Sequence, residues 1–390
     1  LEKIILIRYG EIGLKGLNKH YFIDVLIRNI KDSLKSLKNK KIEKIQGRFI
    51  IRLAEEDIHR ACEALKKVFG IASISVASVV EKDLENIKEV AEILTEKECR
   101  GDETTFKVNA RRGDKNFPMT SPELNGYLGG HLLKTFPNLK VDVHEPQFTL
   151  FVEIREKAYL YTEIIPGKNG LPVGTGGKAA LLISGGIDSP VAGYMIAQRG
   201  VELMGVHFHS YPYTSERAKD KVVKLMEKVA AYSGRIKLFV VPFTDIQLAI
   251  GEFCEEKYST LIMRRYMMKI ASELAVKNGA LALITGESIG QVASQTLESL
   301  AVTNAATDLP VFRPVIGMDK HAIIDIANEI DTFETSILPY EDCCTIFVPK
   351  HPQTKPKLEY VLKEESKLKD IDEMISEAID NTEIITIYPK

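Results

Sequence analysis

An apolar run, Ala179–Ile183, leads directly into Ser184-Gly185-Gly186-Ile187-Asp188-Ser189, after which Pro190 opens a helical pattern. Two adjacent glycines at the end of a strand let the backbone curl so that several N–H groups point into one concavity. The following helix adds the positive end of its dipole, and the combination binds phosphate. Pro190 suits the first helical turn, where its missing N–H costs nothing. Asp188 is the unexpected residue, because a carboxylate beside phosphates repels them unless a cation lies between. It is expected to hold Mg²⁺ or to orient the loop. Ser184 and Ser189 supply hydroxyl donors. A Gly-Gly turn alone is common in α/β folds, but the complete string between a strand and a helix is far more specific. Gly174-Thr175-Gly176-Gly177-Lys178 lacks the spacing of a Walker A loop, and its lysine precedes a strand.

The surrounding pattern fixes the fold class of this half. Apolar strands at 179–183, 202–208, 237–242 and 280–285 alternate with helices at 189–199, 215–232 and 258–278. Such alternation predicts a parallel sheet with helices on both faces. Ligands bind at the carboxyl ends of such strands, so the loops after 183, 208 and 285 are expected to converge.

The first half reads differently. A strand at 3–9 precedes a basic amphipathic helix at 18–38, followed by a strand at 48–53, a helix at 55–69 and a strand near 71–80. A second unit holds a helix at 84–98, a strand at 105–112, a helix at about 121–136 and strands at 141–144 and 148–164. Short mixed elements of this order predict α+β domains. Residues 166–177 are dense in turn formers and lack periodicity. The expected organisation is 1–75, 76–167 (its motif opening near 60), a linker at 168–177 and a parallel-sheet domain at 178–390. Gly10, Gly13 and Gly16 have the wrong spacing for a dinucleotide loop and read as turn residues.

At 390 residues the chain exceeds one ordinary core. No apolar run approaches the roughly 18 residues that span a bilayer, and charge interrupts the N-terminus too early for a signal peptide. Five cysteines without paired spacing point to a reducing cytoplasm. The net charge of −2 hides a basic start, with 12 Lys/Arg against 5 Asp/Glu in residues 1–50. That excess suits a polyanion or, equally, a solvated helix face.

The string SGGIDS after a strand resembles the PP-loop ATP pyrophosphatases, which adenylate a carbonyl or carboxyl oxygen and release pyrophosphate. Two further segments narrow the likeness. Ile284-Thr285-Gly286-Glu287-Ser288-Ile289-Gly290-Gln291-Val292-Ala293-Ser294-Gln295-Thr296-Leu297 and Tyr340-Glu341-Asp342-Cys343-Cys344-Thr345-Ile346-Phe347-Val348-Pro349-Lys350-His351-Pro352 resemble signatures of the tRNA 4-thiouridine synthetases (tRNA uracil sulfurtransferases). The resemblance runs from end to end. It implies an N-terminal ferredoxin-like domain and a THUMP RNA-binding domain ahead of the PP-loop domain.

By that resemblance ATP is held by Leu182, Ile183, Ser184, Gly185, Gly186, Ser189, His207, Phe208, Arg264, Gly286 and Gln295. Adjacent Arg265 competes with Arg264 for the phosphate role. Lys320 and Asp188 are implied in adenylyl transfer, and Cys344 in handling sulfur, with Cys343 its neighbour. Cys62, Cys99 and Cys254 read as buried small hydrophobes, and no metal-ligand spacing is present.

The implied activity converts uridine 8 of tRNA to 4-thiouridine, using ATP and Mg²⁺, through an adenylated base. A second implied role passes sulfur toward the thiamine thiazole through a sulfur-carrier protein. Arg111, Arg112 and Lys115 are expected to join the basic start in holding tRNA. Longer family members carry a C-terminal rhodanese domain whose cysteine bears a persulfide. This sequence ends at Lys390, soon after the PP-loop domain, so a separate cysteine desulfurase or other persulfide donor is expected. No membrane partner is implied, and a homodimer is left open.

Overall fold

A computed structural model describes the chain except for residues 46, 100, 293–294, 341–342, 344–348, 350 and 390. Its contacts divide the chain into two compact units, Leu1–Lys19 with Ile30–Asn169, and His20–Asn29 with Gly170–Lys390.

The first unit is built on one nine-stranded sheet. Its elements begin with β1 (Glu2–Tyr9), α1 (Lys19–Ser33, shared between the units), β2 (Lys41–Ile45), β3 (Arg48–Arg52), α2 (Ile58–Lys66) and β4 (Ile71–Val80). They continue with α3 (Leu84–Glu98), β5 (Thr104–Arg112), α4 (Ser121–Thr135), β6 (Leu139–Val141), β7 (Phe148–Ile154), β8 (Ala158–Tyr161) and β9 (Ile165–Pro166). The strand order is β2-β3-β1-β4-β8-β7-β5-β6, with β9 beside β4. Strands β6 and β7 flank β5 in parallel, while β1 pairs antiparallel with β3 and β4.

Thr120 explains where α4 starts: its side chain accepts from the Glu123 amide, and the Glu123 carboxylate accepts from the Thr120 amide. Helices α3 and α4 bury Val90, Leu124, Leu128 and Leu132 against Phe106, Val108, Leu150 and Val152 on alternate positions of β5 and β7. The opposite face carries Ile4, Leu6, Ile50, Ala77, Val79, Tyr159 and Tyr161, all buried. On that face Glu153 accepts from Arg8 at 2.9 Å and from Tyr161 at 2.8 Å, and it pairs with Arg48. Burial alone would raise the Glu153 carboxyl, yet the hydrogen bond and charge of Arg48, with the hydrogen bonds of Arg8 and Tyr161, overcome this and hold it at about 2.

The second unit contains β10 (Lys178–Leu182), α5 (Asp188–Ala197), β11 (Glu202–His209), α6 (Glu216–Ser233), β12 (Ile236–Pro242), α7 (Thr244–Phe253) and α8 (Ser259–Lys277). Then follow β13 (Leu283–Ile284), α9 (Leu297–Asn304), β14 (Val311–Phe312), α10 (Lys320–Glu329), α11 (Phe333–Ser336), α12 (Leu358–Glu365), α13 (Ile371–Asp380) and β15 (Glu383–Ile387). The sheet order is β14-β13-β10-β11-β12-β15. Five strands are parallel, and β15 closes one edge antiparallel to β12.

Helices cover both faces, as the alternation predicts. On one, Phe208, Phe239 and Val241 join Ile250, Met263, Ile270 and Ile375 from α7, α8 and α13 in a single core. On the other, Gly193 of α5 lies so close to Leu181 that an added Cβ would stand 2.6 Å from its methyl. From β10 the chain adds β11 and β12 on one side and β13 and β14 on the other, so the strand order reverses between β10 and β13, and their carboxyl ends form the switch point at which such sheets bind ligands.

Residues 166–177, read from sequence as turn-rich, are pinned by backbone bonds. Gly167 and Asn169 donate to Ala72 and Ile71, whereas Gly174 and Gly176 both donate to Gly200. Among the described residues no helix is long and apolar enough to cross a membrane.

Candidate functional site

The loop between β10 and α5 folds back on itself through its two serines. Ser189 Oγ accepts from the Ser184 amide at 3.0 Å and lies 3.1 Å from Ser184 Oγ. Ser184 Oγ in turn accepts from the Gly186 amide at 3.3 Å. The hydroxyls therefore brace the loop from within. Gly186 does not adopt the left-handed backbone that would demand glycine, and an added Cβ would only reach ordinary contact with Ser184 Oγ.

Gly286 is under a harder constraint. A Cβ there would sit 2.6 Å from the Ser189 amide nitrogen and 2.7 Å from the Asp188 carbonyl carbon. The loop after β13 can lie against the first turn of α5 only because residue 286 has no side chain.

The ends of β10, β11 and β13 enclose one cavity. The first strand supplies Leu182, Ile183, Ser184 and, through the loop, Gly186, Asp188 and Ser189. His207 and Phe208 come from β11, Gly286 and Glu287 from the loop after β13, Arg264 from α8, and Gln295 and Cys343 from later segments. Every residue expected to hold ATP lines this space except Gly185, which is buried in the loop.

His207 is buried, with Nδ1 3.1 Å from the Ile183 carbonyl, and Phe208 packs edge-on to Phe243. Gln295 is buried, and its Oε1 has no hydrogen-bond partner among the described residues. A buried acceptor facing a cavity needs a donor, and the exocyclic amine of adenine is one.

Two adjacent arginines of α8 have separate surroundings. Arg265 is buried, donating to Glu365 at 2.5 Å and to the Val302 carbonyl at 2.6 Å. Arg264 instead lines the cavity and donates to Glu287 at 3.2 Å. Glu287 also accepts from Arg313 at 2.8 Å and from Thr285 at 2.9 Å. Arg313 Nη2 is buried without a partner among the described residues.

Lys320 opens α10, whose start is capped by Asp319 accepting from the Ala322 amide. Its ammonium donates to Asp188 Oδ1 at 2.6 Å and lies 3.5 Å from Gln291 Oε1. The structure thus joins two residues 132 positions apart that the sequence could only nominate separately. Ser336 completes the surround by donating to the Gly186 carbonyl at 3.3 Å. Glu287, Arg313 and Ser336 escaped the sequence reading. Glu287 lay inside a quoted signature, whereas nothing in the chain near Arg313 or Ser336 marks them.

Cys343 is buried and lines the cavity, and Cys344 lies outside the described residues. Cys62 and Cys254 are buried, and burial pushes each thiol up to about 11, in keeping with small core residues.

Comparison with known proteins matches three successive segments of the chain. Residues 174–369 match the family model described as thiamine biosynthesis protein (ThiI), residues 4–75 the ThiI ferredoxin-like domain and residues 81–163 the THUMP domain. A probable tRNA sulfurtransferase of Acetivibrio thermocellus is 55% identical over 390 residues, covering 99% of each chain. The chain belongs to the ThiI family of tRNA 4-thiouridine synthetases. A probable tRNA sulfurtransferase of Thermoanaerobacter sp. is 54% identical, covering 97% of this chain and 100% of its own. A crystal structure of a 4-thiouridine synthetase–RNA complex with bound ATP superposes with a TM-score of 0.92 at 40% identity. It covers 99% of this chain and 100% of that one. Membership in the ThiI family accounts for the element order of both units and makes the chain a sulfurtransferase.

Proposed function

We propose that the cavity at the β10–β13 switch point binds ATP and that the chain uses it to convert uridine 8 of tRNA to 4-thiouridine. The observation that carries this reading is that the serine-braced loop, with Asp188 held by Lys320, lines the same cavity as Gln295, whose buried Oε1 has no partner among the described residues. Leu182, Ile183, His207 and Phe208 form the walls for adenine, with Gln295 accepting from its amine. Arg264 and the amides at the start of α5 face the phosphates.

O4 of the uridine attacks the α-phosphorus, and pyrophosphate leaves as the new P–O bond forms. Lys320 is positioned to offset negative charge that builds at this step. Among the described residues no three His, Cys, Asp or Glu side chains gather as a metal site. Asp188 fits as the one protein ligand that Mg²⁺ commonly takes alongside substrate phosphates, where the ion would neutralise phosphate charge.

Sulfur completes the reaction. A thiolate of Cys344 attacks a donor's persulfide, forming a mixed disulfide and releasing hydrosulfide. Hydrosulfide adds to C4, and AMP leaves as the C4–O bond breaks; two equivalents of an external thiol return the mixed disulfide to thiols and leave as their own disulfide. A cysteine desulfurase is the proposed donor, and the same sulfur can serve thiazole synthesis through a carrier protein. The basic start of the first unit, together with basic residues at the end of β5 and in the loop after it, holds the tRNA backbone, and the reaction takes place in the cytoplasm.

The test is reconstitution with tRNA, ATP, a cysteine desulfurase and cysteine, followed by mass spectrometry of the digested nucleosides. 4-Thiouridine should appear only when ATP is present, with pyrophosphate released in equal amount. Thiolation without ATP would overturn the reading.

A further inference from the structure

Gln247 lies on α7 and is 3% exposed. Its amide nitrogen donates to the Cys343 carbonyl at 3.0 Å and faces Met263 Sδ at 3.0 Å, while its oxygen accepts from Ser210 Oγ. The orientation of this amide is not arbitrary. A carbonyl can only accept, so nitrogen must face Cys343, and the oxygen is thereby directed at the Ser210 hydroxyl. Ser210 follows the strand end that bears His207 and Phe208, and its own amide donates to Thr214 Oγ1 at 2.9 Å.

One side chain therefore ties the cysteine-bearing segment to the wall of the ATP cavity. The segment is fastened before Gln247's contact and beyond it. Ser336 donates to Gly186, Lys221 donates to the Leu338 carbonyl at 2.9 Å, and the Gln353 amide donates to the Lys257 carbonyl at 3.0 Å. Between these fastenings, Gln247 donates a side-chain hydrogen bond to the main chain of Cys343.

We propose that Gln247 is a positioning residue for sulfur transfer: it fixes the main chain at Cys343, which lines the ATP cavity and directly precedes Cys344 in the chain. The inference rests on the reading that sulfur passes through this cysteine pair. Gln247 does not line the ATP cavity, so adenylation and sulfur delivery should separate when it is changed.

Two substitutions probe it. Gln247→Glu keeps an acceptor for Ser210 and removes the donor to Cys343. Gln247→Met keeps the shape against Met263 and avoids a buried charge, in case the first variant does not fold. With either folded variant, tRNA-dependent pyrophosphate release should stay within about two-fold of the parent. Thiolation driven by a desulfurase plus cysteine should fall about ten- to a hundred-fold, the usual scale for a misplaced reacting group. Added sulfide, which bypasses the thiol, should bring thiolation back to the parental rate. Parental thiolation with the desulfurase in both variants, or equal loss of pyrophosphate release and thiolation, overturns the proposal. Cys343→Ser and Cys344→Ser variants, run in parallel, keep the premise separate. If both thiolate normally with the desulfurase, the cysteine relay itself is wrong, and the role proposed for Gln247 falls with it. If Cys344→Ser is impaired while the Gln247 variants are not, only the positioning role fails.

Discussion

Asp188 and Lys320 meet at 2.6 Å with side chains 23% and 42% exposed, so the pair is open enough for a ligand to rearrange. A surface pair of this kind contributes about 1 kcal/mol or less to folding. Its chemistry should therefore be separable from its structural role. Asp188→Ala is expected to lower tRNA-dependent pyrophosphate release by at least about a hundred-fold, the scale of losing one electrostatic stabiliser, with an unchanged melting temperature. Near-normal turnover of this variant, measured by released pyrophosphate, would remove Asp188 from the reaction centre. Gly286 makes the opposite prediction. A methyl group at 286 would press on the α5 backbone, which cannot swing aside as a side-chain tip can. Gly286→Ala should cost about 1–3 kcal/mol in denaturant unfolding and weaken ATP binding as well, because the loop after β13 and the phosphate loop would be pushed apart. Adjacent Arg264 and Arg265 show why residue-level assignment from sequence stalls. One turn of a helix places neighbours about 100° apart, and only the buried Glu365 shows which arginine is committed to the core.

At the level of elements, the sheet of the first unit depends on a buried ionic cluster joining β1, β3, β7 and β8 through Arg8, Arg48, Glu153 and Tyr161. Glu153 titrates at about 2 when folded, against an ordinary value of 4.5. Its folded pKa is depressed, so its contribution is complete above the unfolded value and is lost as pH falls from about 4.5 toward 2. A shift of that size corresponds to about 3 kcal/mol at most. Glu153→Gln should lower stability near neutrality and flatten the acid limb of a stability–pH profile between about pH 5 and 2. An unchanged acid limb would show that other carboxylates set it. Much of this architecture could be read from the sequence. β4 and α3 fall where expected, because their apolar spacing is long and regular. β2 (Lys-Ile-Glu-Lys-Ile) was missed, since its two isoleucines alone carry no pattern and its register comes from β3. The expected strand 148–164 is broken into β7 and β8, with a turn across Arg155–Lys157, where the Arg155 amide donates to the Lys157 carbonyl, and β9 begins just beyond it. β13 and β14 have two residues each, too short for any periodicity, and β15 exists because the edge of β12 accepts an antiparallel partner from nearly 150 residues further along the chain. The phosphate loop was legible because its chemistry is local. Ser336 was not, because its contact with Gly186 spans 150 residues.

For the whole molecule, the proposed reaction needs a polyanion held and a nucleotide activated, and the reading above assigns the two tasks to different units. Exposure separates the basic residues proposed to hold RNA. Arg111 is exposed at the end of β5, on the same sheet face as Lys107, and Lys115 is exposed in the loop that follows. Arg112 is committed otherwise, donating to the Phe117 carbonyl at 3.2 Å, so it shapes the loop that carries Lys115. Charge reversal should sort the three accordingly. In the full-length chain, tRNA affinity should fall steeply as salt rises, because each phosphate contact releases counterions. Arg111→Glu and Lys115→Glu should each weaken binding at low salt and reduce the slope of log affinity against log salt by about one contact. Arg112→Glu should instead lower the melting temperature, with any loss of affinity following from the disturbed loop. Filter binding of tRNA across a salt series, paired with thermal melts, distinguishes these outcomes. A slope unaffected by Arg111→Glu and Lys115→Glu would move the RNA contacts to the lysine-rich stretch Lys31–Lys44, where the excess of positive charge in the sequence is concentrated.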